Sequence, residues 1–297
     1  MTGQPEDRDQ AVPLGRLVRQ ARDRLAAGGI DTAALDARLL VTGAAGLDPS
    51  RAVLEPDLLI EAGVVANATG FIERRLGGEP VGRILGRREF WGLELALSRE
   101  TLEPRADTER LVEAVLDWCD RTGGRQRALR FADIGTGSGA IAIALLSELP
   151  QALALAVDIA PGALATARGN ALRCGVGERF LAVRADLAAA IAPGCDFLVS
   201  NPPYISTREA ACLSTEVARH DPALALFAGP DGLDAYAAML PEGRRVLGRF
   251  APFFMEIGAA QAAAVSRLAR DVGFEDIEVF QDLGGRDRVV RTRCVAK

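Results

Sequence analysis

One short stretch, Asn201-Pro202-Pro203-Tyr204, has the residue types to bind a planar group that carries an NH2. It follows the apolar run 197–200, so we expect it where a strand ends and the backbone turns outward. Neither proline can donate a backbone hydrogen bond, and the Asn201 side chain adds a carbonyl oxygen, so acceptors dominate this turn. Tyr204 adds a flat aromatic face. Taken alone, these four residues also fit an ordinary diproline turn.

A glycine-rich loop forms the second feature that could do chemistry. It reads Asp133-Ile134-Gly135-Thr136-Gly137-Ser138-Gly139 and joins an apolar strand pattern to a helix pattern that begins at Ala140. Glycines let the backbone approach a ligand closely, and the helix that follows directs N–H groups at it. The spacing is GxGxG rather than the GxGxxG of dinucleotide binders, which disfavours NAD.

Two acidic residues follow the next two strand patterns. Asp158 ends the second strand, where an acid can accept hydrogen bonds from a ribose diol, and Asp186-Leu187 follow the third, where they suit an adenine edge and face. Alone, Asp158 could be a helix cap and Asp186 a turn residue. Together with the glycine loop and Asn201, they occupy the carboxyl ends of successive strands. This arrangement predicts a nucleoside cofactor that serves a reaction at Asn201.

Length and composition bound the classes of protein. The chain has 297 residues, enough for about two domains, and a net charge of -5, which argues against a protein held on nucleic acid by bulk electrostatics. Five cysteines without a CxxC pair favour neither a metal site nor a disulfide framework. The polar start and the lack of a long apolar run predict a soluble, cytoplasmic protein without a membrane segment. We also expect a monomer.

The pattern of elements divides the chain into three parts. Helical periodicity over 1–86 predicts a small bundle, which we interpret as a module for packing or for docking a protein substrate. Alternation around a glycine predicts a β-hairpin linker at 87–100. The part 101–297 begins with a helix that Asp107 or Thr108 would cap.

From residue 129 onward, strand patterns alternate with helix patterns, which indicates an α/β fold with a mostly parallel sheet covered on both faces. The last two strands are linked only by Gly284-Gly285, too short for a crossover, so the last strand must be antiparallel. The predicted strands are 129–134, 153–157, 180–184, 196–200, 250–255, 276–281 and 287–292.

These motifs together resemble those of class I S-adenosylmethionine-dependent methyltransferases, which have a Rossmann-like sheet. More closely, they resemble the release-factor glutamine methyltransferases, the HemK/PrmC family. Beyond the residues above, the resemblance rests on Arg88-Glu89-Phe90-Trp91-Gly92, Pro104-Arg105, Asp107-Thr108-Glu109, Asp231-Gly232-Leu233, Met255-Glu256-Ile257-Gly258 with Gln261, and Asp282, Gly285, Arg286 and Arg288.

The resemblance implies a cofactor, a substrate and a set of site residues. S-adenosylmethionine would be held by Gly135, Thr136, Gly137, Ser138, Gly139, Asp158, Asp186, Leu187 and Asn201. The substrate would be the glutamine of the Gly-Gly-Gln motif in peptide chain release factors, methylated on its side-chain amide nitrogen, N5. Asn201, Pro202 and Tyr204 would be catalytic, and Asn201, Pro202, Pro203 and Tyr204 would bind the substrate.

Three positions depart from the family pattern: Ala106 stands where proline is usual, Leu102-Glu103 where apolar residues are expected, and His220-Asp221-Pro222 where glutamate-proline is usual. Two other functions stay open. One is amino methylation of a nucleic-acid base or of another protein's glutamine, because an exocyclic amine has the hydrogen-bond geometry of a carboxamide. The other is a docking protein that binds the cofactor without turnover.

Overall fold

A computed structural model describes residues 11–212 and 215–294. The chain divides into two compact units, Met1–Gly86 and Arg87–Lys297. Among the helices in the described residues, none has the length and apolar character needed to cross a membrane.

The first unit is a helical bundle, as the periodicity predicts. Its elements are β1 (Val12–Pro13), α1 (Leu14–Ala27), α2 (Ala33–Ala44), α3 (Arg51–Leu54), β2 (Leu59–Ile60), α4 (Ala62–Leu76) and α5 (Val81–Leu85). Apolar residues of α1, α2 and α4 form one core, which includes Leu14, Leu25 and Leu40. Arg75 and Asp36 form a buried ion pair of 2.7 Å between α4 and α2. The antiparallel pairing of β1 with β2 was not predicted.

The second unit begins with the predicted hairpin, β3 (Arg87–Phe90) and β4 (Leu93–Ala96). Its turn consists of Trp91 and Gly92, whose φ angles are both positive, 55° and 69°. Asn170 fixes the end of β4, because its amide oxygen accepts from Ala96 N at 2.8 Å and its amide nitrogen donates to Ala96 O at 3.0 Å. The same amide nitrogen donates to Ser138 O at 2.7 Å, which ties the hairpin to the glycine loop.

The remaining elements are α6 (Glu109–Arg121), β5 (Arg130–Ile134), α7 (Ala140–Glu148), β6 (Leu153–Asp158), α8 (Pro161–Arg173), β7 (Phe180–Arg184), β8 (Phe197–Ser200), α9 (Thr215–His220), α10 (Ala223–Leu226), α11 (Asp234–Val246), β9 (Pro252–Glu256), α12 (Ala262–Asp271), β10 (Phe274–Gln281) and β11 (Asp287–Cys294). Short 3-10 helices lie at Ala106–Thr108, Gly177–Arg179 and Thr207–Cys212.

Within the described residues, seven strands form one sheet in the order β10-β11-β9-β8-β5-β6-β7. Strand β11 is antiparallel to both of its neighbours, and the pairs from β9 to β7 are parallel, which confirms the predicted sheet. Each predicted strand is present, with ends shifted by at most two residues. Helices α6, α7 and α8 cover one face, and α11 and α12 cover the other. The carboxyl ends of β5, β6, β7 and β8 therefore lie at one edge of the sheet.

The predicted cap of α6 was wrong. Within the described part of the chain, the Thr108 side chain makes no capping hydrogen bond, and Asp107 forms an ion pair of 3.1 Å with Arg288 instead. A 3-10 turn leads into α6, so both side chains point to partners outside the helix.

Candidate active site

A cavity of about 460 Å³ lies at the carboxyl ends of β5, β6, β7 and β8. Most of the residues singled out from the sequence line it: Gly135, Thr136, Gly137, Ser138, Asp158, Asp186, Leu187, Asn201, Pro202 and Pro203. Gly139 and Tyr204 are not among the lining residues. The parallel strands thus bring together segments that lie as far apart in the chain as Gly135 and Pro203.

The glycine loop after β5 has a backbone that other residues rarely adopt. Gly135 and Gly137 have φ angles of 72° and 56°, and a Cβ at either position would meet no atom within 4 Å, so conformation rather than space requires glycine. Gly135 N and Thr136 N both donate to Val157 O at 2.9 Å. These bonds fasten the loop to the end of β6.

Gly139 serves the packing of the loop. Its φ is 84°, and a Cβ there would lie 2.9 Å from Ile143 Cδ1 and 3.1 Å from Ala167 Cβ. Glycine therefore lets α7 start close to α8. Gly139 therefore supports the loop through packing and does not line the cavity.

Asp133 is fully buried at the end of β5. Its Oδ2 accepts from Thr136 Oγ1 at 2.7 Å, while its Oδ1 has no hydrogen-bond partner among the described residues. Burial raises the pKa of Asp133 to about 7, with the Thr136 hydrogen bond acting in the opposite direction.

Asp158 is held by two backbone donors. Gly137 N donates to its Oδ2 and Ala160 N to its Oδ1, both at 2.9 Å. The alternative role that the sequence left open for Asp158 was a helix cap, but Ala160 is the residue at the cap of α8, and Asp158 lies two positions before it. Each carboxylate oxygen keeps a second lone pair, so a fixed Asp158 can still accept hydrogen bonds from a ligand diol.

The turn after β7 contributes Asp186, which is exposed, and Leu187, which is half-buried. Leu187 has a φ of 46°, a left-handed conformation that is uncommon for a residue other than glycine. It adds an apolar side chain to the cavity lining beside Ile159 and Ala185.

Asn201 follows directly after β8, and a hydrogen bond to a buried residue orients its side-chain amide. Asn201 Nδ2 donates to Oγ1 of the buried Thr108 at 3.2 Å. An amide whose nitrogen is bound in this way has its carbonyl oxygen on the other side. Pro202 and Pro203 follow it along the cavity wall.

Tyr204 is anchored away from the cavity. Its carbonyl oxygen accepts from Gln261 Nε2 at 3.0 Å, and its ring packs against the core under α11 and α12. Burial raises the pKa of Tyr204 to about 12, with the Glu256 carboxyl adding to the effect, so the hydroxyl stays neutral at physiological pH. The ring is half-buried, so part of the aromatic face that the sequence suggested for a guest is used in packing.

Several lining residues were not assigned to the site from the sequence: Arg99, Glu100, Leu102, Glu103, Pro104, Arg105 and Thr108. Glu103, one of the departures from the family pattern, is buried and lies 3.4 Å from Arg88. Thr108 was missed because a threonine before a helix is typical of a cap.

Two family models match the chain: the PrmC N-terminal domain over residues 16–86 and the methyltransferase small domain over residues 121–220. A release factor glutamine methyltransferase of Agrobacterium fabrum is 42% identical over 273 residues, covering 92% of this chain and 94% of the relative. A release factor glutamine methyltransferase of Rhodospirillum rubrum is 41% identical over 291 residues, covering 98% of this chain and 88% of the relative.

The chain belongs to the release factor glutamine methyltransferase family. Among solved structures, the catalytic domain of hMettl16 in complex with MAT2A 3'UTR hairpin 1 has a TM-score of 0.54 at 18% identity, covering 76% of this chain and 83% of that chain. At that identity the likeness supports the fold alone.

The methyl donor of this enzyme class is S-adenosylmethionine, and the cavity fits it. Its volume lies in the range of small-molecule sites, about 300–1,000 Å³. Gly135 and Gly137 expose backbone without side chains, Asp158 has free lone pairs for hydroxyl groups, and Leu187 offers an apolar surface. Polar and apolar parts are thus both present for a nucleoside.

Proposed function

We propose that this enzyme methylates the side-chain amide nitrogen of the glutamine in the Gly-Gly-Gln motif of peptide chain release factors, with S-adenosylmethionine as donor. One observation carries the proposal: the Asn201 amide, held through its nitrogen by Thr108, borders the same cavity as the glycine loop and Asp158. The names of the relatives support the choice of a release factor glutamine.

Each part of the cavity then has a proposed role. Gly135 to Ser138, Asp158, Asp186 and Leu187 hold the cofactor, and Gly139 supports them through packing. Asn201, Pro202 and Pro203 bind the substrate amide. Tyr204 acts through its backbone, because its carbonyl is pinned by Gln261.

A carboxamide nitrogen is a poor nucleophile because its lone pair is delocalised into the carbonyl group. S-adenosylmethionine supplies an electron-poor methyl group on a positively charged sulfur. The Asn201 oxygen and the Pro202 carbonyl each accept one hydrogen of the substrate NH2, which fixes the direction of the nitrogen and stabilises its developing positive charge. The methylated nitrogen is acidic enough to lose its extra proton to water, so these two residues need not act as bases.

The proposed partner is the release factor, docked by the first unit, whose residues 16–86 match the PrmC N-terminal domain. Such a partner works on the ribosome, so we propose a cytoplasmic location. A monomer stays a prediction, and so does the lack of direct contact with nucleic acid, which the net charge of -5 supports. The molar mass of the purified protein, measured by light scattering, tests whether it is a monomer.

The test is an incubation of the purified chain with methyl-labelled cofactor and a purified release factor, followed by peptide mapping by mass spectrometry. We expect one methyl group on the Gly-Gly-Gln glutamine and none when that glutamine is replaced by alanine. Label in DNA, RNA or another protein's glutamine, with none in the release factor, would favour an amino methyltransferase of different specificity. Cofactor binding by calorimetry without transfer to any of these would favour a docking protein.

A further inference from the structure

Glu256, the last residue of β9, is a buried carboxyl group that the proposed reaction has not used. It is 1% exposed, and its Oε2 has no hydrogen-bond partner among the described residues. Strand β9 runs parallel to β8, with Met255 paired to Ser200. The next residues along these two strands, Glu256 and Asn201, are therefore neighbours at the carboxyl edge of the sheet.

Thr108 connects the two side chains. Its Oγ1 accepts from Asn201 Nδ2 at 3.2 Å, and both Thr108 and Asn201 lie near enough to the Glu256 carboxyl group to lower its pKa. A hydroxyl that accepts one hydrogen bond can donate another, so Thr108 links the Asn201 amide to the carboxylate. On this buried side two acceptors lie beside the Asn201 amide, the Thr108 hydroxyl oxygen and the Glu256 carboxylate.

The two ends of an asparagine amide have nearly the same shape and opposite hydrogen-bonding character. Two acceptors on the buried side select the orientation with the NH2 inward. The reverse orientation would direct the carbonyl oxygen of Asn201 at a carboxylate and its NH2 into the cavity. An NH2 in the cavity could not accept a hydrogen from the substrate amide.

We propose that Glu256 is a positioning residue that, with Thr108, holds the NH2 of Asn201 inward and its oxygen toward the substrate. The inference rests on the proposed function, because it concerns the orientation that a substrate NH2 requires. Glu256 acts through Asn201 and does not line the cavity.

The ionisation of Glu256 couples to this orientation. Four charged or titratable groups face it: Asp107 before α6, Arg288 on β11, Tyr204 in the loop after β8, and Tyr236 on α11. Burial raises the pKa of Glu256 to about 7, although the contacts with Thr108 and Arg288 lower it. A protonated carboxyl group can donate a hydrogen bond, and it then tolerates the reversed amide.

The first test compares the isosteric variant Glu256→Gln with wild type. We expect kcat at pH 8 to fall about 10- to 100-fold, since a charge-assisted contact is lost, while the KM for release factor and the cofactor Kd stay within about twofold. In wild type kcat should rise with a midpoint near pH 7, and this step should be missing in the variant. The matched control is Glu242→Gln, on α11, which also has a buried carboxylate oxygen without a partner in the described residues and does not line the cavity.

A second variant separates positioning from folding. Thr108→Val removes the hydroxyl and keeps the shape, whereas Thr108→Ser keeps the hydroxyl and should restore most of the activity. In an Asn201→Ala background, Glu256→Gln should reduce kcat no further, because its target is absent. Additive losses, or a raised KM at unchanged kcat, would overturn the proposal. Should Glu256→Gln fail to fold, the comparison of Thr108→Val with Thr108→Ser decides alone. Equal activity of these two variants would contradict the link from Asn201 through Thr108 to Glu256.

A spectroscopic readout needs no turnover. The chain has only three asparagines, Asn67, Asn170 and Asn201, so selective 15N labelling gives three side-chain NH2 pairs. The Asn201 pair, identified by its loss in Asn201→Ala, should titrate near pH 7 in wild type and not in Glu256→Gln. A flat Asn201 signal in wild type would refute the proposal. Wild-type protein that methylates no release factor but shows this titration would refute only the proposed function.

Discussion

The guanidinium group of Arg105 lies 2.7 Å from the carboxylate of Asp221, joining the segment before α6 to the segment between α9 and α10. Both belong to stretches noted in the sequence, and Asp221 stands where the family usually has glutamate. The Asp221 side chain is 2% exposed and that of Arg105 is 48% exposed. The pair therefore fastens a buried acid beside the cavity, whose lining includes Arg105 and Pro222.

Arg105→Met should loosen the segment that follows Asp221. A buried carboxylate that loses a cationic partner costs about 1–3 kcal/mol, and we expect amide exchange in α10 (Ala223–Leu226) to speed up accordingly. Hydrogen-exchange mass spectrometry checks this. Arg51→Met, which breaks the exposed pair with Glu55 on the first unit, is the control and should change little. Unchanged exchange in α10 would show that the pair does not hold the segment.

Asn201→Ala should separate turnover from cofactor binding. The variant loses the acceptor for the substrate NH2, so kcat should fall about a hundredfold or more. Its cofactor Kd, measured by calorimetry, should stay within about threefold, since Asp158 and the glycine loop are intact. Asn67→Ala, an exposed asparagine on α4, is the matched control. Wild-type turnover by Asn201→Ala would remove Asn201 from the mechanism.

Asp158→Asn should weaken cofactor binding and leave turnover nearly unchanged, which is the opposite of the effect of Asn201→Ala. The carboxylate accepts from Gly137 N and Ala160 N, and an amide NH2 in its place must face one of these donors. We expect the cofactor Kd to rise about 10- to 100-fold, with kcat at saturating cofactor nearly unchanged. The matched control is Asp196→Asn, because Asp196 accepts from Arg130 N at 2.7 Å at the other end of β8. A rise in Kd for both variants alike would indicate a general loss of stability.

Most of the fold followed from the sequence because strand and helix periods alternate clearly from residue 129 onward. The placement of Asp158 and Asn201 in one cavity was also predictable, since parallel strands end at a common edge. Thr108 was not, because only the packing of the segment before α6 brings it to Asn201, 93 positions along the chain. The packing of the Tyr204 ring was not predictable either, because no local pattern reveals the course of a loop after two prolines.

Gly139 illustrates a second limit of sequence reasoning. The motif suggests three glycines with the same role, yet Gly139 is required by the closeness of Ala167, a residue of another helix. Glu256 shows a third: the Met255–Gly258 segment was recognisable as a family motif, but its chemistry depends on a strand neighbour. In both cases the information lies in tertiary contacts.

Stability should fall as the pH rises, because two buried carboxyl groups keep their protons longer in the folded chain. Burial raises the pKa of Glu256 from 4.5 to about 7, and that of Asp133 also to about 7. Between the ordinary pKa values, 4.5 for Glu256 and 3.8 for Asp133, and pH 7 the folded state binds more protons than the unfolded state. Each stabilising contribution is therefore complete below the ordinary pKa of its group and lost as the pH passes 7. Glu256→Gln removes the share of Glu256, on the order of 3 kcal/mol between pH 5 and 8.

Urea unfolding of wild type and Glu256→Gln at pH 5 and pH 8 measures this share. Both tryptophans, Trp91 and Trp118, lie in the second unit, so their fluorescence reports the unfolding of the unit that contains Glu256. We expect the free energy of unfolding to decrease less with pH in Glu256→Gln, while Glu242→Gln follows wild type. The remaining decrease belongs to Asp133 and should diminish in Asp133→Asn. An equal decrease in wild type and Glu256→Gln would mean that Glu256 ionises as freely in the folded chain as in the unfolded one.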